Sequence, residues 1–238
     1  MTGEELIEQA NEYVSNGDHA AAAETYLKAF ELMPEEPLLP WEAGRLYLYF
    51  VPDPALAVRW FEVALPRLPD PIQARDTRYH IGLAHTFLKD DARAAARFAE
   101  VLADTPTHVL SCLELGKIHV RSGDHERAKD LLQQAILHNN MRSTLPEMFP
   151  DGQRGSPHAH ALGWINLGRL GLAAGDEKLT RLAACKLLDD LDDDGRVMML
   201  AKEAVAGGKP GAARAVLDAL LAHAPEHAAA LAMQEELG

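Results

Sequence analysis

Asp190-Leu-Asp192-Asp193-Asp194-Gly195 is the densest run of potential metal ligands in this chain of 238 residues. It matches the first half of a calcium loop, D-x-D-x-D-G, in which alternate oxygens ring a hard cation and glycine makes the sharp turn. The second half does not follow. The twelfth position is Ala201, where a bidentate glutamate is required, and Glu203 comes two residues late. Asp193 or Asp194 is better suited to cap a helix, because a short carboxylate accepts the unpaired N–H groups of a first turn and complements the helix dipole. His158 and His160 form an H-x-H pair that could chelate a metal from a strand. Here they follow a proline- and glycine-bearing stretch with no Cys or Glu ligand set beside them. His80, His85 and His119 fall on helical segments as packed or surface residues. Neither a metal nor a cofactor is expected.

The motifs of catalysis are missing. The chain has no nucleophile elbow, no G-x-x-x-x-G-K-[ST] phosphate loop and no H-E-x-x-H. Gly207-Gly208-Lys209 lacks the rest of a phosphate loop and reads as a turn between helices. Cys112 fits a packing position. With Cys185 it forms no local pair motif, so two buried thiols in a reducing compartment is the simpler reading, a disulfide between them the open alternative. The expectation is a non-enzymatic protein.

The elements that position these residues are helical hairpins. Ala10, Gly44, Gly82, Gly116, Gly168 and Ala201 each sit inside an apolar helical stretch, at spacings of 34, 38, 34, 52 and 33 residues. A recurring period in this range marks stacked hairpins, an architecture that presents a surface more readily than it encloses a reaction. One unit runs VLSCLELGKIHV, then RSGDHERAKDLLQQAILHNN. Leu110, Leu113, Leu115 and Ile118 give its first helix an apolar face. Ser122-Gly123-Asp124 breaks it, with glycine for the turn and aspartate for the next cap. Ala128, Leu131, Leu132, Ala135 and Ile136 then recur at helical spacing. Elsewhere Pro34, Pro106 and Pro225 each stop a second helix, lacking an N–H and clashing with the preceding turn.

Composition agrees. The chain is 47% hydrophobic and 25% charged, with a net charge of −13, which disfavours nucleic acid and anionic membrane as partners because both are negative. No stretch is long and apolar enough to span a bilayer, and the N-terminus MTGEELIEQANEY lacks the basic start and apolar core of a signal peptide. A cytoplasmic protein is expected.

The pattern resembles the tetratricopeptide repeat family. Trp164-Ile-Asn-Leu167-Gly168 reproduces the opening of that repeat, and Ala10, Tyr13, Ala22, Tyr26, Ala29 and Pro34 match a whole unit at the right offsets. The resemblance implies an all-α, right-handed α-solenoid of about six hairpins in a single domain. The repeats are expected over 3–36, 38–70, 75–106, 109–140, 161–191 and 194–225, with an insertion at 141–157 and a capping helix at 226–238. There are departures. Trp41 lies one residue too close to Gly44, and the turn that follows is Val51-Pro52-Asp53-Pro54. A longer link, LPDPIQARDTR, precedes the third repeat, and Thr180 stands where alanine belongs in the fifth. The insertion reads as a solvated loop, or as a segment in which Leu145 to Phe149 docks on the concave face.

The resemblance also places the first helix of each repeat on the concave side. Asp76, Tyr79, Leu83, Thr86 and Phe87 would line it in the third repeat, with Tyr49 or Phe50 nearby. Leu110, Leu113, Lys117, Val120 and Arg121 would follow in the fourth, Ile165 and Arg169 in the fifth, Met198 and Lys202 in the sixth. The lysines and asparagines of the subgroup that clamps carboxylates are absent except Asn11; Ile7, Ala43, Asp76 and His80 take the other places. Lys117, Arg121, Arg169 and Lys202 would form a basic stripe beside an apolar patch of Tyr79, Leu83 and Phe87. The implied function is a protein–protein interaction adaptor whose groove takes a partner segment with acidic and apolar residues. The alternative is a self-assembling scaffold that forms homo-oligomers through its repeats.

Overall fold

The structure is a computed structural model that describes residues 1–144 and 157–237. Among the described residues it is built of thirteen α-helices and one short 3-10 turn, with no strand. They fall into two compact units, Met1–Pro106 and Thr107–Gly238.

The first unit holds α1 (Gly3–Ser15), α2 (His19–Leu32), α3 (Leu38–Tyr49), α4 (Pro54–Ala64), the 3-10 turn Leu65–Arg67, α5 (Pro71–Phe87) and α6 (Asp91–Asp104). The second holds α7 (Val109–Ser122), α8 (His125–Thr144), α9 (Pro157–Ala174), α10 (Glu177–Leu191), α11 (Asp194–Ala206), α12 (Pro210–His223) and α13 (Ala228–Glu236). In each unit an odd-numbered helix packs on the even-numbered helix that follows, and the hairpins stack in chain order.

The small-residue ruler marks where the helices meet. A Cβ at Gly44 would lie 3.0 Å from the Phe61 ring, one at Gly82 2.7 Å from Phe98, and one at Gly116 3.0 Å from Leu132. Each glycine on the first helix thus seats a large side chain from the second. Phe61, Phe98 and Leu132 are among the largest side chains with no exposed surface. Gly168 sits between two helices, its absent Cβ 3.2 Å from Ala183 on α10 and 2.7 Å from Leu200 on α11. The fifth hairpin also accommodates its unexpected Thr180. This residue is fully buried, its hydroxyl donates to the Asp176 carbonyl at 3.0 Å, and it lies against Gly171, where a side chain would collide with it.

Aspartates start the second helices. Asp18, Asp53, Asp90 and Asp176 each accept a first-turn backbone N–H, and Asp124 does the same for Arg127 at 3.3 Å. Before the cap the chain takes a left-handed residue: Gly17, Gly123 and Gly175, but Lys89 in the third hairpin, at φ 58°. The sixth hairpin starts on Lys209 and Pro210 without a side-chain cap.

Two boundaries differ from the expected ones. α5 begins at Pro71, inside the supposed link, because Asp70 accepts the Ile72 N–H at 2.9 Å and proline is pre-set for a first helical position. α8 continues to Thr144, into the supposed insertion. Leu145 to Phe149, expected either to dock or to form a loop, lie outside the described residues.

Candidate functional site

In the first unit, Tyr49 and Phe50 follow Gly44 at the same distance as Phe87 and Leu88 follow Gly82. All four are left open to solvent, at 48%, 50%, 55% and 43% of their surface. They end α3 and α5, where the buried interface has run out. The layer beneath them is aromatic. The Tyr49 hydroxyl and His80 Nδ1 are 2.9 Å apart, and the two rings meet edge to face at 5.7 Å. His80 in turn stacks on Phe61 at 5.6 Å and 17°. Trp41 completes the layer, 6.2 Å from the His80 ring, and its indole N–H donates to Thr77 Oγ1 at 3.0 Å. Burial holds the His80 imidazole below its ordinary titration range; Asp76 opposes that shift and Arg45 adds to it. The ring is thus a neutral packing element.

The expected apolar patch is therefore of two kinds. Phe87 is open. Tyr79 is half-buried with its ring 5.7 Å from Phe98, and Leu83 is half-buried against the core of the unit. Tyr49, which meets His80 of α5, is open to a similar degree as Phe87. The sequence carried the signal, since both aromatics hold the same offset from their glycines.

In the second unit the four expected cations differ from one another. Lys117 Nζ is 2.6 Å from Glu114 Oε1. Arg169 donates twice to the Glu203 carboxylate, at 2.9 Å and 2.6 Å, and this bond is the main cause that raises its pKa. Arg121 and Lys202 are exposed. Ile165 and Met198, expected on an open face, are 1% and 7% exposed and belong to the core. Leu113 is buried as well. Their helices are covered by neighbours on that side.

The run of aspartates does not converge. Asp190 Oδ2 is 3.1 Å from His160 Nε2, Asp192 Oδ1 is 2.8 Å from His223 Nε2, and Asp194 Oδ2 is 3.5 Å from His227 Nε2. Asp193, not Asp194, caps α11 by accepting the Arg196 N–H at 2.9 Å. Among the described residues no three ligand-type side chains gather at one point. Cys112 is buried, which pushes its thiol up to about 11, far from a reactive thiolate, and it is not bonded to Cys185.

Models described as tetratricopeptide repeat match residues 6–36 and 109–137, and residues 198–234. Over these segments the chain carries tetratricopeptide repeats. Three solved structures share its fold. A tetratricopeptide repeat protein from Parabacteroides merdae is 18% identical, with a TM-score of 0.67 over 93% of this chain and 79% of that one. YrrB, described as a tetratricopeptide repeat protein with an unusual peptide-binding site, is 18% identical, with a TM-score of 0.60 over 83% and 90%. The anaphase-promoting complex assembly Cut9–Hcn1 gives 17% identity and a TM-score of 0.63 over 99% of this chain, which spans only 42% of that one. No curated protein matches the sequence. Tetratricopeptide repeat proteins bind other proteins or peptides, and the repeat fold here supports a role of that general kind. Among the described residues no helix is long and apolar enough to cross a membrane.

Proposed function

We propose that the chain is a non-enzymatic adaptor of the cytoplasm that holds a partner segment on the concave faces of its odd-numbered helices. The observation that carries this reading is the repeated pair of open apolar side chains, Tyr49–Phe50 and Phe87–Leu88. A fold that stabilises itself by burial leaves such residues out at a cost in solubility, and solvent-exposed aromatics at matching positions are typical anchors for a partner. Tyr79 and Leu83 precede Phe87 by eight and four residues, on the same face of α5. In the second unit Lys117 and Arg169 are engaged by Glu114 and Glu203, and Lys202 is exposed. YrrB, with its peptide-binding site, is a precedent in the same fold.

The test compares proteins captured from the native source by the wild-type chain and by Tyr49→Ala/Phe87→Ala. Phe87 is about half open, whereas Tyr49→Ala also removes a hydrogen bond to His80, so capture is compared at a temperature where thermal melts show each variant folded. A partner lost by the double variant, and retained by the exposed-surface control Leu137→Ala, is the expected result. Identical capture by all three would refute the reading.

A further inference from the structure

At the other end of the first unit, α1, α2 and α3 enclose a cleft of about 470 Å³, within the roughly 300–1,000 Å³ of ordinary ligand pockets. Its floor is apolar, made by Ile7, Met33 and the buried Leu39. Leu38 stands at its lip with 47% of its surface open. The rim is acidic. Glu4 and Glu36 line the cleft with exposed carboxylates that make no salt bridge among the described residues. Glu42 lines it too, held 2.7 Å from Arg45. Among the described residues no lysine or arginine forms part of the wall. Within it the Tyr26 hydroxyl donates to Asn11 Oδ1 at 2.5 Å. That phenol is shifted upward, first by burial and next by the charge of Glu42, with Arg45 opposing.

An aliphatic floor under unpaired carboxylates matches a side chain that is apolar along its stem and cationic at its tip. Only lysine and arginine have that form. We infer that this cleft seats a lysine or arginine next to an aliphatic residue in a segment of a partner protein. This is opposite in sign to the acidic partner that a basic stripe would favour. The inference rests on the partner-binding reading above but uses different residues, so the two can fail separately.

The probe is the peptide Gly-Ser-Leu-Arg-Leu-Ser-Gly, titrated into the full-length chain labelled with nitrogen-15, with a Glu-for-Arg peptide as control. The arginine peptide should move the amide signals of Ile7, Asn11 and Leu39, and the glutamate peptide should not. Glu4→Gln/Glu36→Gln should weaken binding by about fivefold or more. Leu38→Ser should also weaken it. Glu226→Gln/Glu235→Gln, which changes net charge equally, should leave it unchanged, as should Tyr49→Ala/Phe87→Ala. Equal binding of the two peptides overturns the inference. So does equal weakening by both glutamate pairs with Leu38→Ser silent, which would mean diffuse attraction to an acidic protein.

Discussion

A Cβ at Gly171 would lie 2.8 Å from the Thr180 backbone nitrogen and 2.9 Å from the Asp176 carbonyl oxygen. Backbone cannot swing aside as a rotamer can. Gly171→Ala should therefore cost about 1–3 kcal/mol despite alanine's better helix propensity. At Gly168 the nearest obstacle is a Leu200 methyl group, which can turn, so Gly168→Ala should be close to neutral while Gly168→Leu should cost about 1–3 kcal/mol by overpacking. Thermal melts of the three variants check the ranking. His80 carries a pH dependence at the same scale. Its folded pKa lies below the ordinary 6.5, chiefly through burial. Below pH 6.5 the unfolded chain takes up a proton that the folded chain refuses, so this contribution to stability is full above 6.5 and declines as pH falls through the window beneath it. His85 is shifted the same way by burial. His80→Phe keeps the stacking on Phe61 and should flatten part of the loss of stability between pH 7 and 5 in urea titrations. An unchanged slope would contradict this assignment.

At the scale of elements, the turns inside the first, third, fourth and fifth hairpins meet two local demands, a left-handed residue and then an aspartate cap. Gly123 and Asp124 meet both, whereas Lys89 meets the first at φ 58°, a conformation that costs a side chain about 1 kcal/mol. Lys89→Gly should raise stability by about 0.5–1 kcal/mol, read as a higher midpoint in denaturant. A lower midpoint would show that the Lys89 side chain contributes more than its backbone strain removes. The same local logic accounts for the aspartate run. Its residues fall at the end of α10 and the start of α11, so Asp193 becomes a cap and its neighbours point toward different histidines. A motif match failed because a helix boundary runs through the middle of it.

For the molecule as a whole, a net charge of −13 opposes self-association through long-range repulsion. The scaffold alternative needs copies to pair, and Leu231, 41% exposed on the last helix, is a point from which they could. On the adaptor reading, light scattering across a hundredfold dilution should return the mass of one chain throughout. A mass that climbs with concentration would favour assembly.

Much of this protein was legible without coordinates. The glycine ruler, the stop prolines and the Asp caps depend on contacts inside one hairpin, so a single period of sequence contains both partners. Gly82 against Phe98 is an example, as is Asp124 at the start of α8. The fate of the proposed basic residues was less legible. Arg169 is neutralised by Glu203, which lies 34 residues on, one repeat later. Adding the period to the residue number would have found it, but reading along one helix does not. Ile165 and Met198 lay on the expected face and were covered by neighbouring helices. Sequence alone determined the repeat and its hairpins, because sterics and capping act over a few residues. Only the tertiary structure decided which side chains stay open and which charges remain unpaired, because both depend on what the adjacent hairpin brings alongside.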